Sequence, residues 1–343
     1  MKKSLFNTLQ IISFLAGVGL FVYLVKETGL STVVRYLAMM GWGFVWILSL
    51  SAARNCARAG SWYFSIEPAQ RRITFWQVIN VMLAGEAIKY LTATGPLLSE
   101  PAKAAMVRRR VPLLQGFSSV LIENLVYYLT VLIFMLAGLP AVALLTGVSG
   151  NLKLAGYFIV STLAVAVLLM WLAIRWRWFV LARALEQLAR LTARRERKAT
   201  PQRRIEMIAL QVRAVEENLY SFYERRRAAF CLIFALNMCA HVINIIEVCI
   251  ILALLKLPAE ISIGFVVEAA TKVINMIFFF VPTRAGVYES GNAVLLQALG
   301  MTAAAGVALA MIRKLRAFVW IGYGLVVIGL MMIKGKETTE GDN

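Results

Sequence analysis

Glu268-Ala-Ala-Thr-Lys272-Val-Ile-Asn-Met-Ile-Phe-Phe-Phe-Val-Pro282-Thr-Arg284-Ala-Gly286-Val-Tyr-Glu289 runs on through Ser290 to Arg313-Lys314-Leu315-Arg316. The stretch is apolar enough to lie in a membrane. Yet Glu268, Lys272, Arg284 and Glu289 interrupt it, and Pro282 and Gly286 break any helix at its middle. A bilayer tolerates broken backbone and ionisable groups only where protein or a water-filled cavity surrounds them. The stretch therefore reads as a binding site built on an interrupted membrane segment.

An echo lies between Gly85 and Glu123. Glu86 and Lys89 precede Pro96, and then come Glu100, Lys103, the run Arg108-Arg109-Arg110, and Glu123. Glu100 to Glu123 spans 23 positions, and Glu289 to Arg313 spans 24. Short hydrophobic segments interrupted by Gly or Pro at matching places in two halves point to a transporter's site.

Composition fixes the class. The chain has 343 residues, 60% of them hydrophobic, with a mean hydropathy of +0.74. Several runs are long enough to span a bilayer, which predicts a polytopic α-helical membrane protein. The net charge of +18 falls mainly between the apolar runs. Positive-inside asymmetry accounts for it there without nucleic acid. Cys56, Cys231, Cys239 and Cys249 form no C-x-x-C pair, and one histidine cannot build a multi-His site. No metal and no cofactor are expected.

Taken in order, Lys2 and Lys3 place the N-terminus in the cytoplasm. Leu5 to Val25 crosses outward and Tyr36 to Ala53 returns. Arg54, Arg58, Arg71 and Arg72 are read as marking the inside. Residues 73–110 form an interrupted hairpin, broken at Thr94-Gly95-Pro96 and Pro101, and Phe117 to Leu139 crosses outward. The loop from Pro140 to Lys153 fits the outside, and Leu154 to Ile174 crosses back. Residues 175–227 carry 14 Arg or Lys against 6 Glu and form a basic cytoplasmic loop. Its first part, Trp176 to Leu191, has the pattern of an interfacial amphipathic helix. Ala228 to Leu255 crosses outward, with Asn237, His241, Asn244 and Glu247 in one polar stripe. A second hairpin over 262–300, a final helix to Ile333 and an inside tail from Lys334 complete the chain.

The expected fold is all-α: about six spanning helices plus two re-entrant or broken helical hairpins. The halves, 1–140 and 141–343, match in topology but begin on opposite sides, so they form an inverted repeat with the hairpins meeting near the midplane. Arg313, Lys314 and Arg316 fall near the outer side of the last helix, against the positive-inside rule unless they are buried and paired.

The candidate substrate-binding residues are Glu86, Lys89, Pro96, Glu100, Lys103, Glu123, Glu268, Lys272, Pro282, Arg284, Gly286, Glu289 and Arg313. A charge at membrane depth costs a few kcal/mol, so several together require mutual pairing or a wet cavity. Glu86 with Lys89 and Glu268 with Lys272 can pair along one helix face. Glu289 is expected to pair with Arg313. The bases suit an anionic headgroup, with Arg favoured for bidentate phosphate contact. His241 and Glu247 are candidates for proton coupling. No G-x-x-x-x-G-K-[ST], G-x-S-x-G or H-E-x-x-H motif occurs, which argues against an ATPase engine and names no nucleophile.

Gly95-Pro-Leu-Leu-Ser-Glu100-Pro-Ala-Lys103-Ala-Ala-Met-Val107, with Glu123 downstream, resembles the first conserved block of the lysylphosphatidylglycerol synthase transmembrane-region family. Val281-Pro-Thr-Arg284-Ala-Gly286-Val-Tyr-Glu289-Ser290, followed by Leu-Gly-Met-Thr302 and the Arg313 helix, resembles its second block. The resemblance covers about residues 5–335 and departs at Thr283-Arg284-Ala285, where the family tends to have Gly-Gly. It implies a flippase-like protein of the bacterial inner membrane with both termini cytoplasmic. Glu100, Pro282, Gly286, Glu289 and Arg313 stand at the motif positions. The chain ends at Asn343 without a soluble aminoacyl-transferase domain, so no lysyl-lipid synthesis is expected of it.

The expected function is translocation of a lipid between leaflets by alternating access. The partner would be an anionic phospholipid, a polyprenyl-phosphate lipid or a hopanoid, and no nucleic acid. The alternatives are a non-transporting scaffold or accessory subunit of a lipid or glycan enzyme, and an integral-membrane headgroup transferase.

Overall fold

The computed structural model describes residues 30–92, 95–145, 199–278 and 286–340, with isolated positions within 15–23 and 158–187. Among the described residues the chain is all-helical, without strands. Ten α-helices follow in order: α1 Leu30–Met40, α2 Gly43–Ser65, α3 Phe75–Leu91, α4 Pro96–Val107, α5 Leu113–Leu145, α6 Ala199–Arg225, α7 Arg227–Leu254, α8 Ile261–Ile277, α9 Val287–Ala298 and α10 Ala303–Glu340. Three are long and apolar enough to cross a membrane, at Leu113–Leu144, Arg227–Leu254 and Ala303–Ile333. The α1–α2 pair, bent by 94°, is a fourth candidate span. The protein is a multi-pass α-helical membrane protein.

Each half carries the same helix order. A long helix (α2 or α7) leads into a 17-residue helix (α3 or α8), a break, a 12-residue helix (α4 or α9) and a second long helix (α5 or α10). Both breaks end on a glycine of positive φ: Gly95 at 48° and Gly286 at 79°. That backbone region penalises a Cβ, so glycine sets the chain direction at the point where each 12-residue helix begins.

The halves interlock. α5 packs against α8, and α10 packs against α3. Both contacts close on small residues: Gly138 of α5 lies against Ala269, and Gly324 of α10 lies against Leu83 and Ala87. Small residues let membrane helices approach to backbone distance, which replaces the missing hydrophobic drive between them. The first long helices, α2 and α7, make the most extensive contact in the protein. The two largest apolar clusters hold Trp62, Ile66, Val78 and Val107 in one, and Ile47, Val248, Leu296 and Leu309 in the other.

Several boundaries differ from expectation. The crossing drawn at Tyr36–Ala53 is bent at Gly41-Trp42, and α2 continues to Ser65. Arg54 and Arg58 are therefore inside a helix and do not mark a loop. No Pro interrupts the chain between Gly43 and Phe64, and the side chains around Arg54 and Arg58 are mostly apolar or small, so the helix continues through both arginines. The loop expected at Pro140 is helical as far as Leu145, with Pro140 inside α5. The tail expected from Lys334 is helical to Glu340. The second part of the basic loop forms α6, which packs on α5 through Phe222 and Ile122. The crossing at Leu5–Val25 and the segment Trp176–Leu191 lie largely outside the described residues, and about half of Leu154–Ile174 does.

Candidate functional site

The long helices carry charge where a soluble helix would carry core. On α2, Arg58 donates to Glu123 of α5 at 3.0 Å and to Glu86 of α3 at 3.3 Å. Lys89 adds a looser pairing to Glu86 at 3.7 Å, one helical turn on. Glu123 is buried, so Arg58 supplies the counter-charge that membrane depth demands. Beside this cluster Glu100 of α4 takes Lys103 at 2.5 Å and Asn124 of α5 at 2.7 Å. The buried Lys103 stem crosses α3 at Gly85, where an added Cβ would lie 2.5 Å from its Cγ.

The second cluster surrounds α10. Arg313 donates to Glu268 of α8 at 2.7 Å, and Lys272 shares the same carboxylate at 2.9 Å. Glu247 of α7, fully buried, is held by Arg316 and lies 3.4 Å from Arg313 Nε. Glu289 of α9 meets Lys314 at 3.1 Å. The expected Glu289–Arg313 pair is corrected: Arg313 turns to α7 and α8, and its neighbour Lys314 faces α9. Adjacent residues on a helix point about 100° apart, so one position decides the partner.

The two clusters repeat one contact pattern. On α5, Glu123 reaches the preceding long helix (Arg58) and Asn124 reaches the 12-residue helix (Glu100). On α10, Arg313 reaches the preceding long helix (Glu247) and Lys314 reaches the 12-residue helix (Glu289). The polarity of the first pair is reversed: the base lies on α2 in one half and on α10 in the other.

Two polar links run between the helices here, one across the α2–α7 contact and the other through α5. Arg54 of α2 donates to Asn244 of α7 at 3.4 Å and to Asn55 at 3.1 Å. The other link is a stack: Arg58 lies 4.2 Å from the Tyr127 ring centroid, His241 packs between Tyr127 and Phe134, and Lys272 lies 5.3 Å from the Phe134 centroid. His241 Nε2 also hydrogen-bonds Thr130 Oγ1 at 3.1 Å. The polar stripe on α7 faces inward throughout, with Asn237 donating to Ser61 at 2.8 Å.

Among the described residues, eight bases (Arg54, Arg58, Lys89, Lys103, Lys272, Arg313, Lys314, Arg316) face six carboxylates (Glu86, Glu100, Glu123, Glu247, Glu268, Glu289), two positive charges in excess. Arg54 has no carboxylate partner among the described residues. Buried donors on Arg54, Arg58, Arg313 and Arg316 are unpartnered there too.

Of the residues proposed from sequence, Glu86, Lys89, Glu123, Glu247, Glu268, Lys272 and Arg313 enter the linked clusters. Glu100 with Lys103 and Glu289 with Lys314 flank them. Pro96 opens α4 and Gly286 precedes α9. Pro282 and Arg284 lie outside the described residues. Sequence reasoning missed Arg54, Arg58, Lys314, Arg316 and Asn124. Arg54 and Arg58 stand four apart in an unbroken helical stretch, the spacing that puts both on one face.

No curated protein and no solved structure matches this chain. The family model described as the lysylphosphatidylglycerol synthase TM region matches residues 10–326, nearly the whole chain. With its all-helical membrane fold and a family match over nearly its whole length, the chain belongs to the lysylphosphatidylglycerol synthase transmembrane-region family.

Proposed function

We propose that this protein is a lipid translocase whose halves form an inverted repeat, and that a lipid carrying an anionic headgroup passes along the α2–α7 contact. The observation that carries the reading is the repeated contact pattern of Glu123-Asn124 and Arg313-Lys314. Two equivalent ion clusters beside two broken hairpins give a pair of nearly balanced arrangements, which alternating access requires. The excess positive charge, centred on Arg54, favours an anionic substrate, and its fork suits phosphate. An anion entering there takes over unpartnered buried donors and offsets their desolvation.

Glu247 is engaged by two guanidiniums, so we assign it to the pairing. His241, tied only to Thr130 and two rings, is the proposed proton-coupling group. The membrane is proposed to be the bacterial inner membrane, with both termini cytoplasmic.

Cysteine accessibility tests the inverted repeat. In a cysteine-free background, Arg110→Cys and Gln297→Cys end the two hairpins at exposed positions. An impermeant maleimide should label residue 110 from the cytoplasmic side and residue 297 from the opposite side. Labelling of both from one side would rule out the inverted arrangement.

A further inference from the structure

Away from the ion clusters, a hollow of about 360 Å³ opens where the α2–α3 connection meets the α4–α5 turn. Arg72, Arg108, Arg109 and Arg110 line it with Gln70 and Pro112, and no acidic residue does. A second hollow of about 350 Å³ occupies the corresponding place in the other half, where the α7–α8 connection meets the α9–α10 turn. Its lining, including Met39, Leu255, Leu257 and Ala305, carries a single base, Arg35 of α1. The two halves thus share the hollow but not its charge.

We propose that the arginine-lined hollow binds the headgroup of an anionic phospholipid at the membrane face, as a site separate from the interior network. All four arginines are exposed, and Arg72, Arg108 and Arg110 can turn their guanidinium groups to a headgroup without unfolding any helix. Like charges at one rim repel each other, and the single negative charge of a phosphodiester among them offsets part of that repulsion while accepting forked N–H donors. A lipid fits better than a free anion because apolar surface adjoins the hollow. Trp76, early in α3, is 71% exposed, and Leu113, the residue after Pro112, is 56% exposed. Exposed tryptophan beside arginine marks the level where headgroups meet acyl chains. In the proposed topology this hollow lies on the cytoplasmic side, the side of anionic lipid attraction.

The test reads binding rather than transport, so it stands even if the translocase reading fails. Native mass spectrometry of the full chain in neutral detergent would count short-chain phosphatidylglycerol and phosphatidylcholine bound across a titration. The wild type should prefer phosphatidylglycerol, and Arg72→Gln/Arg108→Gln/Arg110→Gln should weaken that binding by about tenfold or more. Arg225→Gln/Arg227→Gln, which removes exposed charge elsewhere, should leave it unchanged. Arg108→Gln alone should give a smaller loss, and serves if the triple variant does not fold. Three results would each overturn the proposal: binding unaffected in every hollow variant, equal weakening in the Arg225/Arg227 control, or displacement of the lipid by equimolar inorganic phosphate.

Discussion

Arg313 of α10 donates to Glu268 of α8 at 2.7 Å, and this bond joins the last long helix to the first arm of the second hairpin. Both side chains are buried, and Lys272 shares the carboxylate. Removing one member of such a pair leaves a charge at membrane depth. Glu268→Gln should therefore destabilise the protein by about 3 kcal/mol, close to the cost of breaking a buried pair. Glu268→Gln with Arg313→Gln should recover part of the loss, read as the coupling term in a thermal-unfolding double-mutant cycle.

Glu289 pairs with Lys314, at 3.1 Å. Glu289→Lys with Lys314→Glu should fold like the wild type, whereas Glu289→Arg with Arg313→Glu should not, because Arg313→Glu sets a third carboxylate beside Glu247 and Glu268. Size-exclusion profiles and melting temperatures in detergent separate the two. Equal recovery by both reversals would contradict this pairing.

Gly95 and Gly286 hold positive φ at the two breaks, and the space around a built Cβ is open or in ordinary contact at both. Replacement by Ala therefore costs backbone strain alone, about 2–3 kcal/mol at each site, because ψ of −113° at Gly95 and −47° at Gly286 lies outside the left-handed helical well that a Cβ tolerates. A larger loss at either glycine, read from the shift in melting temperature, would mean that more than conformation is at stake there.

The membrane class and the pairing partners one turn apart were legible in the sequence, because apolar length and the i,i+3 and i,i+4 spacings are local properties. Glu86 with Lys89 and Glu268 with Lys272 are such pairs. Partners between helices were not legible. Whether Arg313 or Lys314 meets Glu289 depends on the rotation of α10, set by Gly306 seated against Asn292 and Ala293, and Gly324 against Leu83. Arg54 and Arg58 were misread for the converse reason. The positive-inside rule treats arginine as a boundary, and it fails where a membrane helix buries arginine against carboxylates supplied by distant segments.

If His241 carries the coupling proton, an imposed pH gradient should change wild-type transport, and His241→Gln should lose that response while keeping a partner for Thr130. Folding should persist, since Gln can hydrogen-bond the threonine and fill most of the ring's volume. An unchanged response to the gradient in the Gln variant would reduce His241 to a link between Tyr127 and Phe134.

In the proposed pathway a lipid crosses at the α2–α7 contact, where Arg54 bonds Asn244 at 3.4 Å and has no carboxylate partner among the described residues. The most direct measurement is leaflet exchange of a headgroup-labelled fluorescent phosphatidylglycerol in proteoliposomes, read by protection from an impermeant quencher. Wild-type protein should move the label well above protein-free vesicles, and Arg54→Gln should reduce that rate by about tenfold or more, in keeping with the loss of one charge-assisted phosphate contact. Its melting temperature should stay near the wild-type value, because no ion pair is broken. Wild-type vesicles no faster than empty ones, or an Arg54→Gln variant as fast as the wild type, would contradict the account.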